Sequence, residues 1–360
     1  MMIPVSLGAR SYRIAITDSY QQLPNWLKLL DLPREGWVVS HQSVLKAYGP
    51  HVLRPLQRAS WTLHTLTVPE SESSKSLRVA QQLIERLSRQ ATMRMPVLFA
   101  FGGGVVGDLT GFVAAVFRRG VPYVQLPTTL LAQVDSAIGG KVGVDLPQAK
   151  NMVGAFYQPR LVCNNVALLH SLPRRQRQSG LAEVIKYGVI ADRTLFEFLE
   201  EHLQDCLSLS PHAVRTMVNR SCVIKARVVS CDERETKGQR LQLNFGHTIG
   251  HALEAATHYR RWTHGEAIAI GMCAAADLSC AMRLLPKADA RRIHTLIQQA
   301  GLPTHARGMS SQTVRVALRY DKKFTHGRPR WVLPQRIGRV VVREDVPERL
   351  VSRTLARCLR

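Results

Sequence analysis

The stretch "PVLFAFGGGVVGDLTGFVAAVF", residues 96–117, joins a short apolar run to a longer apolar segment through three consecutive glycines. Aromatic and β-branched residues before the glycines favour a strand, and the spacing after them favours a helix. Gly102, Gly104 and Gly107 satisfy the G-x-G-x-x-G pattern, in which the backbone approaches a diphosphate at the start of a helix. This unit predicts a parallel α/β sheet with a candidate dinucleotide site.

Two features of the turn leave a second explanation open. The turn lies in a late strand–helix unit, and Gln125 is neutral where an acidic residue about 20 positions on would bind a ribose. The glycines could therefore serve close steric packing alone. Asp108 is either an ordinary carboxylate at a helix start or a group that faces a ligand.

Similar strand patterns occur on both sides of this unit, each followed by a segment of helical period: "YRIAIT", "GWVVS", "WTLHTLTV" and "PYVQLP". From Leu172 onward the strand signal mostly disappears. Helical patterns are predicted over residues 180–205, 211–231, 244–257, 264–284, 288–300 and 311–319, and "RWVLPQRIGRVVVRE" predicts a late hairpin. We therefore expect an α/β domain over residues 1–172 and a mostly α-helical domain over residues 173–360.

The chain has 360 residues and a net charge of +23, which predicts attraction to anions. The charge is spread along the chain, so an anionic small molecule is favoured over nucleic acid. Seven cysteines without a C-x-x-C pair indicate neither a disulfide framework nor a thiolate zinc site. No apolar run reaches the roughly 20 residues of a membrane span, and no cleavable signal pattern follows Met1, so the expected compartment is the cytoplasm.

The segment "LPTTLLAQVDSAIGGKVGVDLPQAKNMVGAFYQP", residues 126–159, places many polar groups among glycines and apolar residues. Polar groups in an apolar frame are costly unless they are paired. A phosphorylated ligand would pair with Lys141 and Lys150. The Lys150 and Asn151 cluster is equally compatible with a solvated loop.

Two histidines and a glutamate in separate motifs form a candidate metal site. They are Glu183 in "SGLAEVIKYG", His247 in "NFGHTIGHALE" and His264 in "THGEAIAIGM". Two imidazoles and a carboxylate suit Zn²⁺ or a related divalent ion with one position open to a substrate oxygen. His251 is one helical turn after His247, as in H-E-x-x-H proteases, but Thr248 replaces the catalytic glutamate, so a protease is disfavoured. Any one of these histidines alone would more often be a buried structural residue; the combination with Glu183, Lys186, Lys225 and Arg240 favours a site.

Beyond these separate signals, the chain resembles the 3-dehydroquinate synthase family of sugar-phosphate cyclases over nearly its whole length. The motifs that carry the resemblance are "ESESSKSL", "GGGVVGDLTGFVAA", "RRGV", "LPTTLLAQVDSAIGGKVGVD", "KNMVGAFYQP", "SGLAEVIKYG", "DERE", "LNFGHTIGHALE", "HGEAIAIGM" and "DKK" followed by "RWVLPQRIG". The resemblance implies an N-terminal Rossmann-like NAD-binding α/β domain and a mostly α-helical C-terminal domain. It also implies an active site in the cleft between the domains and a homodimer.

The resemblance further implies which residues act. A divalent metal, Zn²⁺ or Co²⁺, would be held by Glu183, His247 and His264. NAD would contact Glu70, Ser71, Glu72, Ser73, Ser74, Lys75, Gly104, Val105, Val106, Gly107, Asp108, Thr128, Thr129, Lys141, Lys150, Leu168, Leu169, His170 and Ser171. The substrate would contact Asp135, Lys141, Asn151, Lys186, Lys225, Arg240, Asn244, His251 and Lys323, with Arg119 reaching across the dimer.

The implied reaction is the conversion of 3-deoxy-D-arabino-heptulosonate 7-phosphate to 3-dehydroquinate and phosphate. It proceeds through transient oxidation by NAD, elimination of phosphate, re-reduction and an intramolecular aldol closure. The phosphate would be held by Lys141, Asn151, His251 and Lys323, and the carboxylate by Lys225 and Arg240.

Three positions depart from the family's usual pattern, namely His41, Asp145 and Ala149. Three other functions remain as alternatives. A related cyclase would make an inosose or a valiolone from a different sugar phosphate, and a metal-dependent polyol dehydrogenase would release NADH instead of recycling it. A basic nucleic-acid-binding protein would show salt-dependent DNA binding.

Overall fold

The computed structural model describes residues 1–146, 149–323 and 330–359, with the backbone alone at Ala149 and residues 319–323. Its contacts divide the chain into two compact units: Met1–Leu172 with Lys225–Arg234, and Pro173–Ile224 with Glu235–Arg360. The sequence prediction had placed residues 225–234 in the second domain, whereas their contacts group them with the first unit. The assignment of residues 1–172 and 173–360 as NAD-binding and metal-binding domains stays a prediction.

The first unit is built on a seven-stranded sheet. Its strands are β1 (Met2–Val5), β2 (Tyr12–Thr17), β3 (Glu35–His41), β4 (Thr62–Val68), β5 (Val97–Gly102), β6 (Tyr123–Pro127) and, after a separate hairpin of β7 (Lys141–Leu146) and β8 (Ala149–Phe156), β9 (Leu161–Asn165). Its helices are α1 (Leu23–Lys28), α2 (Gln42–Arg58), α3 (Leu77–Gln90) and α4 (Gly104–Val116). The strand order is β1-β2-β9-β6-β5-β3-β4, and every neighbouring pair is parallel except β1 with β2.

Helices cover both faces of this sheet, which explains the nearly continuous apolar runs of its central strands. Successive side chains of a strand point to opposite faces. Trp37 and Val39 of β3 accordingly pack with α3 and α4. Val38, between them, packs with α1 and α2 on the other face.

The order in which successive strands are added to the sheet reverses between β3 and β5. β3 pairs with β4 on one side and with β5 on the other, so the connections that leave β3 and β5 diverge. Ligands of open α/β sheets bind at such a switch point, outside the carboxyl ends of the strands. The glycine turn between β5 and α4 lies at this edge, as the predicted strand–turn–helix unit requires.

The second unit is mostly helical. Its elements are α5 (Arg174–Ala191), α6 (Arg193–Glu201), α7 (Leu203–Ser208), α8 (Pro211–Cys231), whose last residues belong to the first unit, α9 (His247–Ala256), α10 (His264–Ala281), α11 (Lys287–Gln299), α12 (Ser311–Lys323), β10 (Trp331–Arg336), β11 (Arg339–Arg343) and α13 (Glu348–Cys358). α10 is buried along most of its length and contacts α5, α9, α11, α13 and β10. A helix that is apolar on all sides belongs at the centre of its domain.

The predicted change from an α/β part to a helical part is confirmed, as is the late hairpin, β10 with β11. The helical stretch predicted over residues 180–205 is confirmed, and the structure divides it among α5, α6 and α7. Asp192 interrupts it, because its Oδ1 accepts a hydrogen bond from the Leu195 N–H at 3.0 Å and caps α6. Among the described residues, no helix combines the length and the apolar composition needed to cross a membrane.

Candidate functional site

The three predicted metal ligands come together in the second unit. Glu183 lies in the buried middle of α5, while His247 and His264 are the first residues of α9 and α10. One ligand atom from each of the three lies within 4.8 Å of the other two. The spatial arrangement that the sequence predicted is therefore present.

The spacing of these ligand atoms fits a bound cation. Nε2 of His247 is 3.5 Å from Oε1 of Glu183, and Nε2 of His264 is 3.4 Å from the same oxygen. Two ligands that are each about 2.0–2.1 Å from a tetrahedral Zn²⁺ lie about 3.4 Å apart. The donor set, two imidazole nitrogens and a carboxylate, is also one that zinc and cobalt accept.

Charge in this cluster is balanced by Lys186, which forms an ion pair with Oε2 of Glu183; both side chains are buried. Burial, and secondly the positive charge of Lys186, hold the pKa of His247 well below its usual value, so this imidazole is in the neutral form that binds metals. Burial opposes protonation of His264, but the carboxylates of Glu183 and Glu254 outweigh it and raise the pKa of His264 to about 10. A metal ion at this site would take the place of that proton.

Each imidazole is oriented through its second nitrogen. Nδ1 of His247 is 3.1 Å from the carbonyl oxygen of Phe245. Nδ1 of His264 is 3.4 Å from Oε1 of Glu254. Glu254 was not predicted from the sequence, although its position seven residues after His247 places it on the same face of α9.

Glycines bring the three helices close enough for the ligands to meet. A Cβ added at Gly265 would lie 2.1 Å from the carbonyl oxygen of Ser179 on α5. A Cβ added at Gly271 would lie 1.9 Å from the carbonyl oxygen of Gly246, directly before α9. The Gly265 N–H also donates to the Ser179 hydroxyl at 3.0 Å. Ser179 and Gly271 were not predicted to matter for the site.

His251 lies beside the metal ligands, as predicted. Its ring centroid is 5.1 Å from that of His247 and 6.1 Å from that of His264, and the side chain is exposed. His251, Glu254 and His264 form a second group whose ligand atoms lie within 4.8 Å of one another. An exposed imidazole at this place can contact a ligand anion or transfer a proton.

In the first unit, the glycine turn is packed closely, and its neutral partner has a structural reason. A Cβ added at Gly107 would lie 3.0 Å from Oε1 of Gln125, and the Gln125 amide donates to the Gly107 carbonyl at 3.4 Å. Gln125 is buried on β6. Gly107 therefore serves the packing of α4 against β6, which is the usual role of the third glycine in this motif.

Lys75 connects the glycine turn to the β7–β8 hairpin. Its Nζ donates to Oδ2 of Asp108 at 2.6 Å and makes a short hydrogen bond to Oδ1 of Asn151. Burial opposes the charge of Lys75, but Asp108 outweighs it and raises the pKa of the ammonium group. Asn151 has a left-handed φ of 57°, and its N–H donates to Asp145 at 2.7 Å. The Asp145 side chain thus joins the end of β7 to β8.

The predicted NAD-contact segment after β4 is a structured loop. The Glu70 carboxylate accepts from the Ser43 N–H at 2.9 Å, and Ser71 caps a short 3₁₀ helix, Glu72–Ser74. The Ser74 hydroxyl donates to the Pro69 carbonyl at 2.6 Å. Glu72 and Lys150 form an ion pair at 2.6 Å, so the loop is also joined to β8.

Asp135 lies in a π-helical turn, Ala132–Ser136, a conformation that often marks functional positions. Its Oδ1 accepts from Lys225 Nζ at 2.6 Å, and both residues belong to the first unit. The buried Gln133, which was not predicted from the sequence, donates to the carbonyl groups of Pro127 and Asn165 at 3.2 and 2.9 Å. Gln133 therefore anchors the turn that carries Asp135.

The other predicted residues have simpler surroundings. The Thr128 N–H donates to the Gly102 carbonyl at 2.9 Å, and the Thr129 hydroxyl accepts from the Ala132 N–H at 3.2 Å. The remaining NAD and substrate candidates are Val105 and Val106 in α4, Lys141 exposed at the start of β7, Leu168, Leu169, His170 and Ser171 in the 3₁₀ helix Val166–Ser171, Arg240 and Asn244 in the 3₁₀ helix Gln239–Asn244, and Arg119 exposed after α4. Lys323 ends α12, and its side chain lies outside the described residues.

Comparisons with known proteins agree along the whole chain. Family models for 3-dehydroquinate synthase match residues 65–179 with the N-terminal part and residues 180–324 with the C-terminal part. A curated 3-dehydroquinate synthase of Picosynechococcus sp. is 43% identical over 359 residues, which cover 99% of this chain and 98% of the relative.

Solved structures of related cyclases are also similar. The 2-epi-5-epi-valiolone synthase of Streptomyces hygroscopicus subsp. jinggangensis, with NAD⁺ and Zn²⁺ bound, has a TM-score of 0.89 at 26% identity and covers 96% of both chains. A 2-deoxy-scyllo-inosose synthase in complex with carbaglucose-6-phosphate, NAD⁺ and Co²⁺ has a TM-score of 0.88 at 26% identity, with 100% of both chains covered.

Proposed function

Because this chain belongs to the 3-dehydroquinate synthase family, we propose that it catalyses that family's reaction with the residues described above. It is an NAD- and divalent-metal-dependent enzyme of the shikimate pathway. It converts 3-deoxy-D-arabino-heptulosonate 7-phosphate to 3-dehydroquinate and phosphate. The observation that carries the assignment of the site is the meeting of Glu183, His247 and His264.

Glu183, His247 and His264 hold the metal ion in this proposal, and the edge of the sheet around the glycine turn holds NAD. When bound, NAD accepts and returns a hydride, and the metal ion polarises a substrate oxygen. Lys186 neutralises the second oxygen of Glu183, which leaves Oε1 directed towards the two imidazoles. Glu183 is buried, whereas His247 and His264 are partly exposed, so the ligand set keeps one side open to a substrate oxygen.

Cationic and polar side chains bind the anionic groups of the ligands. Asp135 holds the Lys225 ammonium group in place, so that it can pair with the substrate carboxylate without first losing conformational freedom. Lys75, fixed by Asp108 and Asn151, sets the position of the hairpin relative to the glycine turn. Lys141, Asn151, His251 and Lys323 bind the phosphate, and Arg240 assists Lys225.

The active enzyme is a homodimer in which Arg119 enters the partner's site. Arg119 is exposed and has a left-handed φ of 65°, next to Arg118 with a φ of 49°. Consecutive left-handed non-glycine residues are strained, and such strain is common at functional sites. Within the described residues the Arg119 guanidinium has no hydrogen-bond or ion-pair partner, which leaves it available to an anion. We also propose a cytoplasmic location, because the reaction draws on the cell's pool of NAD.

The test is release of inorganic phosphate from the heptulosonate phosphate by the purified protein with a divalent metal ion and a catalytic amount of NAD. We expect many molecules of phosphate per NAD and no net NADH, with 3-dehydroquinate as the organic product. NADH accumulating in proportion to substrate consumed would instead identify a polyol dehydrogenase.

A parallel assay separates this function from the related cyclases. The same protein is incubated with hexose 6-phosphates and with a heptulose 7-phosphate that lacks the carboxylate. We expect little phosphate release from these substrates, because the buried Lys225 and Arg240 would make no ion pair with the substrate. Faster turnover of a substrate without a carboxylate would reject the proposed substrate while keeping the reaction type.

A further inference from the structure

Glu254 is a buried carboxylate next to the metal-ligand set. It lies on α9, seven residues after His247 and three after His251, so the three side chains share one face of the helix. Only 7% of Glu254 is exposed. A buried carboxylate is costly unless donors or cations surround it, so its place beside an imidazole indicates a specific partner.

His264 lies between two carboxylates. Its Nε2 is 3.4 Å from Oε1 of Glu183, and its Nδ1 is 3.4 Å from Oε1 of Glu254. A neutral imidazole that offers the lone pair of one nitrogen to a metal ion carries its hydrogen on the other. The carboxylate of Glu254 therefore stabilises the form of His264 in which Nδ1 carries the hydrogen and Nε2 faces Glu183.

We propose that Glu254 is a positioning residue for the metal site: it fixes the tautomer and the ring orientation of His264, and so raises the affinity for the divalent ion. The inference rests on the proposed function for the presence of the metal, and it adds a residue that acts through His264 without touching the ion. Such a carboxylate–histidine pair also makes the imidazole a stronger donor to the metal.

The two imidazole ligands differ in the oxygen atom that faces Nδ1. Nδ1 of His247 faces a neutral backbone carbonyl, that of Phe245, at 3.1 Å. Side-chain substitution cannot remove that acceptor, whereas the acceptor for His264 can be changed by one mutation. Glu254 is thus the accessible point at which the orientation of one ligand can be tested separately.

The experiment uses the full-length protein and the variants Glu254→Gln and Glu254→Ala. The matched control is Asp277→Asn, which removes the charge from another carboxylate–histidine pair of the same unit, where Asp277 Oδ1 is 3.1 Å from Nε2 of His294. Zinc affinity is measured by competition with a chromophoric chelator. The absorption spectrum of the cobalt-loaded protein reports the ligand geometry, and thermal unfolding of the metal-free forms reports the fold.

We expect zinc affinity to fall about 10–100-fold in Glu254→Ala. Glu254→Gln should lie between Glu254→Ala and the parent, because the amide oxygen still accepts from Nδ1 but carries no charge. The control should bind zinc like the parent. The cobalt spectrum should change in the alanine variant and change less in the glutamine variant.

Parental zinc affinity and an unchanged cobalt spectrum in Glu254→Ala would overturn the inference. So would a second zinc ion per parent chain that only the Glu254 variants lose, because Glu254 would then be a ligand in the set with His251 and His264. If Glu254→Ala does not fold, the zinc affinity and the cobalt spectrum of Glu254→Gln test the inference instead. A parent that binds zinc but releases no phosphate would reject the proposed reaction and leave this inference standing.

Discussion

Replacing Gly271 by alanine should weaken metal binding even though Gly271 is not a ligand. The new Cβ would lie 1.9 Å from the carbonyl oxygen of Gly246 and 2.9 Å from the backbone N of Gly250. Both belong to the segment that begins α9, and His247 follows Gly246 directly. The substitution therefore pushes α9 away from α10, whose first residue is His264.

The size of the displacement follows from the contact distance. Non-bonded carbon and oxygen atoms rarely approach closer than 3.0 Å, so the α9 backbone has to move by about 1 Å relative to α10. Ligand distances in a zinc site tolerate errors of about 0.2 Å. Because backbone atoms form the contact, a change of rotamer cannot relieve it. We expect zinc affinity to fall at least tenfold and the free energy of unfolding to fall by about 1–3 kcal/mol.

The assay is zinc competition together with urea unfolding of the metal-free protein. The control is Gly49→Ala in the middle of α2, where the nearest atoms to an added Cβ are 3.6 Å away. That variant should keep its zinc affinity and gain about 0.5–1 kcal/mol of stability, because alanine favours a helix over glycine. Parental zinc affinity in Gly271→Ala would show that the glycine contact does not set the separation of the two ligand-bearing helices, and the reasoning would be wrong.

Three further predictions concern the site, the sheet and the dimer. His247→Ala should lose bound metal and activity together, whereas His251→Ala should keep metal, measured by elemental analysis, and lose rate; equal metal loss would contradict the separate roles. Glu35→Gln should lower the free energy of unfolding at pH 7 by about 1–3 kcal/mol, because the carboxylate accepts from Trp37 Nε1 at 2.9 Å, among other donors. Burial raises the pKa of Glu35, but the hydrogen bonds outweigh burial and lower the pKa overall. The stability difference between the parent and Glu35→Gln should therefore be fully present at pH values above the usual carboxyl range, and it should disappear as the pH falls through the lowered pKa. Inactive Arg119→Ala and inactive His247→Ala, mixed under conditions of subunit exchange, should recover about a quarter of the parental activity per chain, since half of the dimers would contain one intact site; no recovery would place Arg119 outside the partner's site.

Strands with a strong intrinsic signal were predicted well, and the missing elements lack such a signal. β5, Val97–Gly102, was evident from its aromatic and aliphatic run. The β7–β8 hairpin was not predicted, because Gly143 and Gly154 face each other across it and glycine disfavours strands. An added Cβ at Gly154 would lie 2.4 Å from the Val142 carbonyl, so the close pairing itself requires these residues. The hairpin depends on contacts between its two strands, which the strand propensities of single residues cannot predict.

In the site, too, some residues can be recognised from their type and motif, and others only from their contacts in the fold. Residue type and motif identify Glu183, His247 and His264, because few side chains bind zinc. Glu254 is not distinguishable by type from a solvated helix glutamate until His264, which lies on another helix, is placed beside it. The sequence shows that Gln125 is neutral where an acidic residue is expected. Only the structure shows why: the Gln125 side chain packs against Gly107.

The metal ligands and the helix contacts occupy adjacent positions in the sequence, which couples the site to the core. Gly246 precedes His247, and Gly265 follows His264; each glycine is pressed against the backbone of a neighbouring helix. The distance between the two imidazoles is thus determined by backbone contacts that tolerate no added atom, and the exact lengths of the side chains matter less. A ligand substitution removes one donor and leaves this spacing intact, whereas a glycine substitution keeps every donor and changes the spacing between them. Zinc affinity should therefore respond to both kinds of change, but only the second also disturbs the packing of α10 in the metal-free protein.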